Sequence, residues 1–176
     1  MTHKVVLPLK LSGEALKYPG WFQELGIEFL ARWCPTEEEA IELARGADAV
    51  IVEGSQRPMT RAIIENLEHC RILAGTQIGF DTFDLAAATE RGILVTNVPG
   101  YCVEEVSDHA MALVLACARR VVQLHKAVEA GSWGFGPSSA GILSEIRPSI
   151  DGLCGKTLGL FGFGAIGRSM VPKARG

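Results

Sequence analysis

Three glycines near the carboxyl end of the chain have the spacing of a phosphate-binding turn. Gly162, Gly164 and Gly167 form the pattern Gly-x-Gly-x-x-Gly directly after the apolar run 157–161. Between a strand and a helix, such glycines permit a tight turn, a close approach of a pyrophosphate, and close packing of the helix on the strand. Free N–H groups at the helix N-terminus then hold the phosphates. The pattern predicts a dinucleotide-binding turn made of Gly162, Gly164, Ala165, Ile166 and Gly167.

Acidic residues near a histidine, on a predicted helix, are the next candidates for chemistry. Asp108 and His109 are chain neighbours, and neighbours on a helix do not face each other, so they form no acid–base pair. Glu105 and His109 are four residues apart and are placed to pair. We interpret His109 as structural or adjacent to a cofactor. The sequence contains no metal-ligand spacing, and we predict no metal site.

Short apolar segments that alternate with helical ones must position these residues. The alternation predicts an α/β fold in which a parallel sheet is covered on both faces. We expect the first five strands to form a small flavodoxin-like unit and the sixth to lead into the glycine turn. The predicted strands are Lys4–Leu7, Ile27–Ala31, Ala49–Val52, Arg71–Ala74, Ile93–Thr96 and Thr157–Phe161.

Polar residues mark the starts of three predicted helices. Thr36 and Glu39 have the spacing of a capping box, and Gly46 is placed to end the helix that follows. Thr60 and Asp84 are placed to cap the next two helices.

Pro99 and Gly100 interrupt the alternation of strands and helices. This dipeptide is typical of a turn or linker, and we place the domain boundary there. Residues 1–98 are predicted to form one incomplete domain, and residues 99–176 the beginning of a second.

One long helix is predicted over residues 103–130, ended by Gly131 and followed by a surface loop over 131–151. Its apolar residues recur at helical spacing, and a half-built domain exposes more apolar surface than a monomer tolerates. We therefore expect a homo-oligomer or a partner chain that packs on this helix. The expected contact face is Val106, Ala110, Leu113, Val114 and Val121.

Composition excludes several classes of protein. Hydrophobic residues make up 48% of the chain and charged residues 21%, which is typical of a globular domain. The net charge of −3 gives no reason to expect nucleic acid or a membrane surface as a partner. Five scattered cysteines without a C-x-x-C pair indicate reduced thiols, and the N-terminus lacks a signal peptide. We expect a cytoplasmic protein.

Four ordered blocks of the sequence carry a family resemblance. They are residues 77–85 (QIGFDTFDL), 87–101 (AATERGILVTNVPGY), 103–113 (VEEVSDHAMAL) and 155–159 (GKTLG). Together with the glycine turn they closely resemble the NAD-dependent D-2-hydroxyacid dehydrogenases. The non-enzymatic C-terminal-binding-protein corepressors share this architecture, so the resemblance implies the fold more firmly than the activity.

The resemblance implies a flavodoxin-like substrate domain followed by the start of a Rossmann NAD-binding domain. The family transfers a hydride between NAD(H) and a small 2-hydroxy or 2-keto acid. Its catalytic arginine, glutamate and histidine follow the glycine turn and lie beyond Gly176, as does the acid that binds the adenine ribose. We therefore assign no catalytic residue and expect residues 1–176 alone to be inactive and to bind NAD weakly or not at all.

The resemblance also implies where substrate and nicotinamide would bind. The family holds the substrate carboxylate with backbone N–H groups, which correspond here to Ser55 and to Ile78 and Gly79. By position, Tyr101 would offer a hydroxyl to the substrate and Val106 would pack on the nicotinamide ring. The alternatives are that Gly79 only forms a turn, that Val106 packs in a core, and that Tyr101 anchors an interface.

Two residues depart from the family pattern. Gln77 occupies a position where the family usually has glycine, and Pro172 lies inside the helix after the glycine turn, where proline tends to kink it. Two further interpretations stay open: a non-enzymatic dimerising or binding module, and a fragment of a longer dehydrogenase.

Overall fold

The computed structural model describes residues 2–53, 58–132, 141 and 144–175. The chain forms two compact units, Met1–Tyr101 and Cys102–Gly176. The predicted boundary between residues 98 and 99 lies close to this division.

A five-stranded parallel sheet forms the centre of the first unit, as the alternating pattern predicted. The strand order β2-β1-β3-β4-β5 places the first strand between the second and the third. The α/β fold class is therefore confirmed, and five of the six predicted strands form within a residue of their expected limits. The strands are β1 (Lys4–Leu7), β2 (Glu28–Ala31), β3 (Ala49–Val52), β4 (Ile72–Gly75) and β5 (Leu94–Thr96).

In the described part of this unit, four α-helices and one short 3₁₀ helix, Gly13–Lys17, connect the strands. The buried core combines one face of the central strands with the inner faces of the helices, including Val6, Val50, Leu73 and Ile64. In β3, Val50 and Val52 are buried, whereas Ala49 and Ile51 on the opposite face are half-buried. The helices are α1 (Tyr18–Glu24), α2 (Glu37–Ala44), α3 (Arg61–Glu65) and α4 (Leu85–Glu90).

The predicted helix caps are confirmed. The Oγ1 of Thr36 accepts from the Glu39 N–H at 3.3 Å, and Asp84 Oδ1 accepts from the Ala87 N–H at 2.8 Å. Thr60 caps α3 at 3.5 Å. Gly46 follows α2 with φ +71°, a left-handed conformation that favours glycine at a helix end.

The second unit contains α5 (Val103–Ala118), α6 (Val121–Glu129), a 3₁₀ turn (Arg147–Ser149) and α7 (Ala165–Arg175). The prediction of one continuous helix over 103–130 is wrong, because the chain turns at Arg120, whose φ is +55°. The Ala118 carbonyl accepts from the Asp151 N–H at 2.9 Å, and Arg120 Nε donates to the Ser149 carbonyl at 2.9 Å. The segment 149–151 is therefore hydrogen-bonded to the carboxyl end of α5 and to Arg120.

The predicted strand Thr157–Phe161 is wrong for the described structure, which forms no strand there. A strand requires a neighbour to bind its N–H and C=O groups, and no strand occurs among the described residues of the second unit. Phe161 is fully exposed.

The loop predicted over 131–151 is correct only in part. Residues 144–149 are helical, whereas Trp133 lies outside the described residues. Among the described residues, no helix has the length and apolar character needed to cross a membrane.

Candidate functional site

The glycine turn in the second unit is restricted at two of its three glycines. Gly162 has φ +91°, which L-residues with a side chain rarely adopt. A Cβ on Gly167 would lie 2.8 Å from the carbonyl oxygen of Gly162, so this position has no room for one. A Cβ on Gly164 would meet no atom within 4 Å among the described residues, which leaves space beside the backbone for a ligand.

Helix α7 begins directly after this turn. Its first intrahelical hydrogen bond runs from the Arg168 N–H to the Gly164 carbonyl at 3.0 Å. The N–H groups of Ala165, Ile166 and Gly167 therefore precede the hydrogen-bonded part of the helix, as in the first turn of any α-helix. Ala165 and Ile166 are exposed. These donors, with the positive end of the helix dipole, fit the pyrophosphate of a dinucleotide.

A polar cluster joins α7 to α5. Lys173 Nζ donates to Glu104 Oε2 at 2.9 Å and to Asp108 Oδ1 at 2.5 Å. Ser169 Oγ donates to Glu104 Oε1 at 2.7 Å. The Ser169 hydroxyl and then the Lys173 ammonium lower the pKa of Glu104, and the carboxylates of Asp108 and Glu104 raise the pKa of Lys173. The helix continues through Pro172 to Arg175.

In the first unit, the loop after β4 presents the backbone predicted to bind a carboxylate. Asn97 Nδ2 donates to the Ile78 carbonyl at 2.7 Å, and the Val98 N–H donates to the Gln77 carbonyl at 3.0 Å. The N–H groups of Ile78 and Gly79 donate to no acceptor among the described residues. This loop follows the carboxyl end of a parallel strand, where α/β sheets bind ligands.

Gly75, which the sequence analysis did not single out, fixes the start of this loop. A Cβ there would lie 2.7 Å from the Thr96 carbonyl oxygen and 3.2 Å from the Phe83 ring. The signal in the sequence was a glycine that ends an apolar strand. A cavity of about 240 Å³ lies at the same edge of the sheet, lined by Phe80, Leu85, Val95, Thr96 and Asn97.

The remaining predicted site residues are placed as follows. Ser55 lies outside the described residues. Tyr101, at the end of the first unit, is 61% exposed, and Val106, on the first turns of α5 in the second unit, is 40% exposed. His109 is also exposed, and its imidazole forms neither a hydrogen bond nor an ion pair among the described residues, so the expected pairing with Glu105 does not form. No group of three or more His, Cys, Asp or Glu residues among those described is arranged to hold a metal ion.

The sequence is similar to those of known enzymes. Glyoxylate reductase of Pyrococcus furiosus is 37% identical over 140 residues, which are 79% of this chain and 40% of that protein. D-3-phosphoglycerate dehydrogenase of Archaeoglobus fulgidus is 31% identical over 172 residues, 98% of this chain and 30% of that protein. This chain therefore spans less than half the length of both curated relatives.

A solved structure and a family model also match this chain. The crystal structure of NAD-dependent formate dehydrogenase from Staphylococcus aureus in complex with NAD superposes with a TM-score of 0.79 at 27% identity. The match covers 97% of this chain and 52% of that one. The model of the D-isomer specific 2-hydroxyacid dehydrogenase catalytic domain matches residues 19–163. Because that match covers most of the chain, the chain belongs to the D-isomer specific 2-hydroxyacid dehydrogenases, a family of oxidoreductases.

Proposed function

We propose that the protein containing this chain transfers a hydride between NAD(H) and a small 2-hydroxy or 2-keto acid. The observation that carries the proposal is the glycine turn, in which Gly162 needs a positive φ and Gly167 has no room for a Cβ. Family membership supplies the reaction class. The nicotinamide, when bound, accepts or supplies the hydride.

The substrate carboxylate is assigned to the loop after β4. The N–H groups of Ile78 and Gly79 are available as donors, and Asn97 holds the Ile78 carbonyl at 2.7 Å, which fixes the orientation of the loop. Hydrogen bonds from N–H groups to an ionised carboxylate are shorter and stronger than those between neutral groups. The family resemblance adds Ser55 from the loop after β3.

The cofactor is assigned to the glycine turn and the start of α5. Ala165, Ile166 and Gly167 offer N–H groups to the pyrophosphate, while Gly164 leaves space for it. Val106 is assigned to the nicotinamide ring and Tyr101 to the substrate. The side chains of both residues are exposed, which is compatible with ligand contact.

The acid–base step is assigned to no residue of this chain. In the family the histidine, arginine and glutamate follow the glycine turn in sequence. We therefore propose that a polypeptide of residues 1–176 contributes binding groups but neither oxidises NADH nor reduces a 2-keto acid by itself.

Steady-state oxidation of NADH tests both parts of the proposal. The whole protein is assayed with glyoxylate, hydroxypyruvate and pyruvate, and Gly164→Val is expected to raise KM for NADH about tenfold or more, because the new side chain occupies the space for the pyrophosphate. Gly159→Ala, where a Cβ also meets nothing within 4 Å, is the matched control. Activity of residues 1–176 above their Gly164→Val variant would contradict the assignment of the acid–base step.

We also propose a cytoplasmic homo-oligomer. Exposed apolar residues on α5 and α6, such as Leu113, Val121 and Val122, support the association of subunits. All five cysteines are described and form no disulfide, which is compatible with a reducing compartment. A non-enzymatic dimerising module would associate through the same face without binding NADH. Sedimentation with and without NADH distinguishes the two.

A further inference from the structure

Two carboxylates of α5, those of Glu104 and Asp108, bind side chains of α7, and Glu104 binds two of these side chains. Glu104 accepts from Ser169 through Oε1 at 2.7 Å and from Lys173 through Oε2 at 2.9 Å. Ser169 and Lys173 are four residues apart and therefore lie on one face of α7. Both oxygens of one carboxylate thus contact successive turns of the same helix, and this arrangement restricts rotation of α7 about its axis.

A buried hydroxyl of α5 lies beside this contact. Ser107 is fully buried; its Oγ donates to the Glu104 carbonyl at 2.9 Å and lies 3.0 Å from Ser169 Oγ. The two serines supply two hydroxyl hydrogens for three oxygen–oxygen contacts, so only two of these contacts are hydrogen bonds at any moment. The two hydroxyl oxygens, 3.0 Å apart, therefore mark a close approach of α5 and α7 at this point.

The rotation of α7 decides where its first N–H groups point. Ser169 lies four residues, about one helical turn, after Ala165, the first residue of the helix. A rotation that releases Ser169 from Glu104 also turns the N–H groups of Ala165, Ile166 and Gly167 away from their present direction.

We propose that Glu104 is a positioning residue for the pyrophosphate-binding turn. It touches neither cofactor nor substrate and acts through Ser169 and Lys173 on the direction of the first-turn N–H groups. This inference rests on the proposed function for its consequence in cofactor binding, whereas the positioning itself is measurable without any cofactor.

A neighbouring glutamate provides a matched control. Glu105 lies in the same first turn of α5 and has the same charge relative to the helix dipole, but it makes no polar contact among the described residues. Glu105→Ala therefore removes the same charge and helix-end effect as Glu104→Ala without touching α7. Glu104→Gln keeps an oxygen for Ser169 and removes the ion pair with Lys173.

The experiment compares ADP with adenosine on the whole protein by calorimetry, because the two ligands differ only in the pyrophosphate. Glu104→Ala is expected to weaken ADP about tenfold and adenosine less than twofold, with Glu104→Gln between wild type and Glu104→Ala. The KM for the 2-keto acid should stay within twofold. Equal weakening of both ligands, or the same loss in Glu105→Ala, would overturn the proposal.

A second measurement needs no ligand. Amide exchange of Arg168, whose N–H forms the first hydrogen bond of α7, is expected to be about tenfold faster in Glu104→Ala and unchanged in Glu105→Ala. If wild-type protein binds neither ADP nor NADH, the proposed function fails, and the Arg168 amide still decides whether Glu104 positions the turn. If Glu104→Ala does not fold, Glu104→Gln gives the same comparison. Unchanged exchange in both Glu104 variants would overturn the positioning role.

Discussion

At the scale of single residues, the glycine turn combines two different restrictions. Gly162 is restricted by its backbone, with φ +91°, and Gly167 by the space around it, since a Cβ would lie 2.8 Å from a backbone oxygen. A backbone oxygen cannot move aside as the end of a flexible side chain can. A side chain at Gly162 would therefore strain the backbone, whereas a side chain at Gly167 would clash with a neighbouring atom.

We expect Gly167→Ala to destabilise the second unit by about 1–3 kcal/mol, the usual cost of inserting an atom where none fits. Alanine otherwise favours a helix over glycine by about 1 kcal/mol, so any loss is due to the clash with the Gly162 carbonyl. Urea denaturation monitored at residues of α7 measures the change. Gly159→Ala is the control, because a Cβ there meets nothing within 4 Å. A Gly167→Ala protein as stable as the control would show that the turn adjusts freely.

A surface ion pair in the first unit makes stability depend on pH. Arg61 donates to both oxygens of Glu90, at 2.7 and 3.2 Å, and these hydrogen bonds lower the pKa of Glu90. A carboxylate whose pKa is lower in the folded state stabilises the fold above its unfolded pKa of about 4.3, and this contribution is lost as the pH falls through the folded value. Arg61→Met is therefore expected to lower the urea midpoint at pH 7, and the difference is expected to shrink as the pH falls below about 4.3.

The control for that prediction is Arg45→Met. Arg45 is also exposed, and its guanidinium forms no ion pair among the described residues. Arg45→Met removes one positive charge from the first unit, as Arg61→Met does, so the change in net charge is the same in both variants. A midpoint difference for Arg61→Met that persists unchanged at pH 3 would mean that the side chain acts through packing of its methylene groups.

The residues that the sequence revealed are those whose role depends on local backbone. The spacing of Gly162, Gly164 and Gly167 is such a case, because a glycine pattern reports directly on φ and on close approach. Gly75 was missed, since its restriction comes from Thr96 and Phe83 on other elements. No local pattern reports a contact of that kind.

At the scale of elements, the break between α5 and α6 shows the same limit. Apolar residues keep their helical spacing through residues 103–130, so periodicity predicts one helix. The break depends instead on hydrogen bonds to Ser149 and Asp151, about 30 residues further along the chain. Arg120 adopts the left-handed conformation as part of that arrangement, at a cost of about 1 kcal/mol for a non-glycine residue.

Substitutions at Arg120 separate these two contributions. Arg120→Ala removes the Nε bond to Ser149 and keeps the left-handed strain, whereas Arg120→Gly removes the bond and relieves the strain. We expect the glycine variant to be more stable than the alanine variant by about 1 kcal/mol. Thermal unfolding of the two proteins measures the difference. If the alanine variant is the more stable, α5 and α6 have joined into one helix in that variant.

At the scale of the whole molecule, burial is distributed unequally between the two units. The main core runs from Val6 to Ile93 and lies entirely in the first unit. In the described part of the second unit, Ala127 and Met170 are the buried apolar residues, while Leu113, Val122 and many others are exposed. Because apolar burial is the main source of folding free energy, the first unit is expected to be the more stable.

This asymmetry leads to an expectation for amide exchange in dilute protein. The β4 strand pairs with β3 and β5, so the N–H of Leu73, at its centre, should exchange only through large-scale unfolding. The segment 157–161 has the composition of a strand but no ladder, and we expect it to exchange orders of magnitude faster. Equal protection of Leu160 and Leu73 in a monomer would contradict this expectation.

The concentration dependence of this exchange shows whether a second copy of the chain pairs with residues 157–161. Residues 157–161 carry apolar side chains and pair with no strand among the described residues. A strand of another chain could pair with them and supply acceptors for their N–H groups. If association provides that partner, protection of Leu160 should rise with protein concentration while protection of Leu73 stays constant. If protection of Leu160 is instead low and independent of concentration, no second copy pairs with residues 157–161.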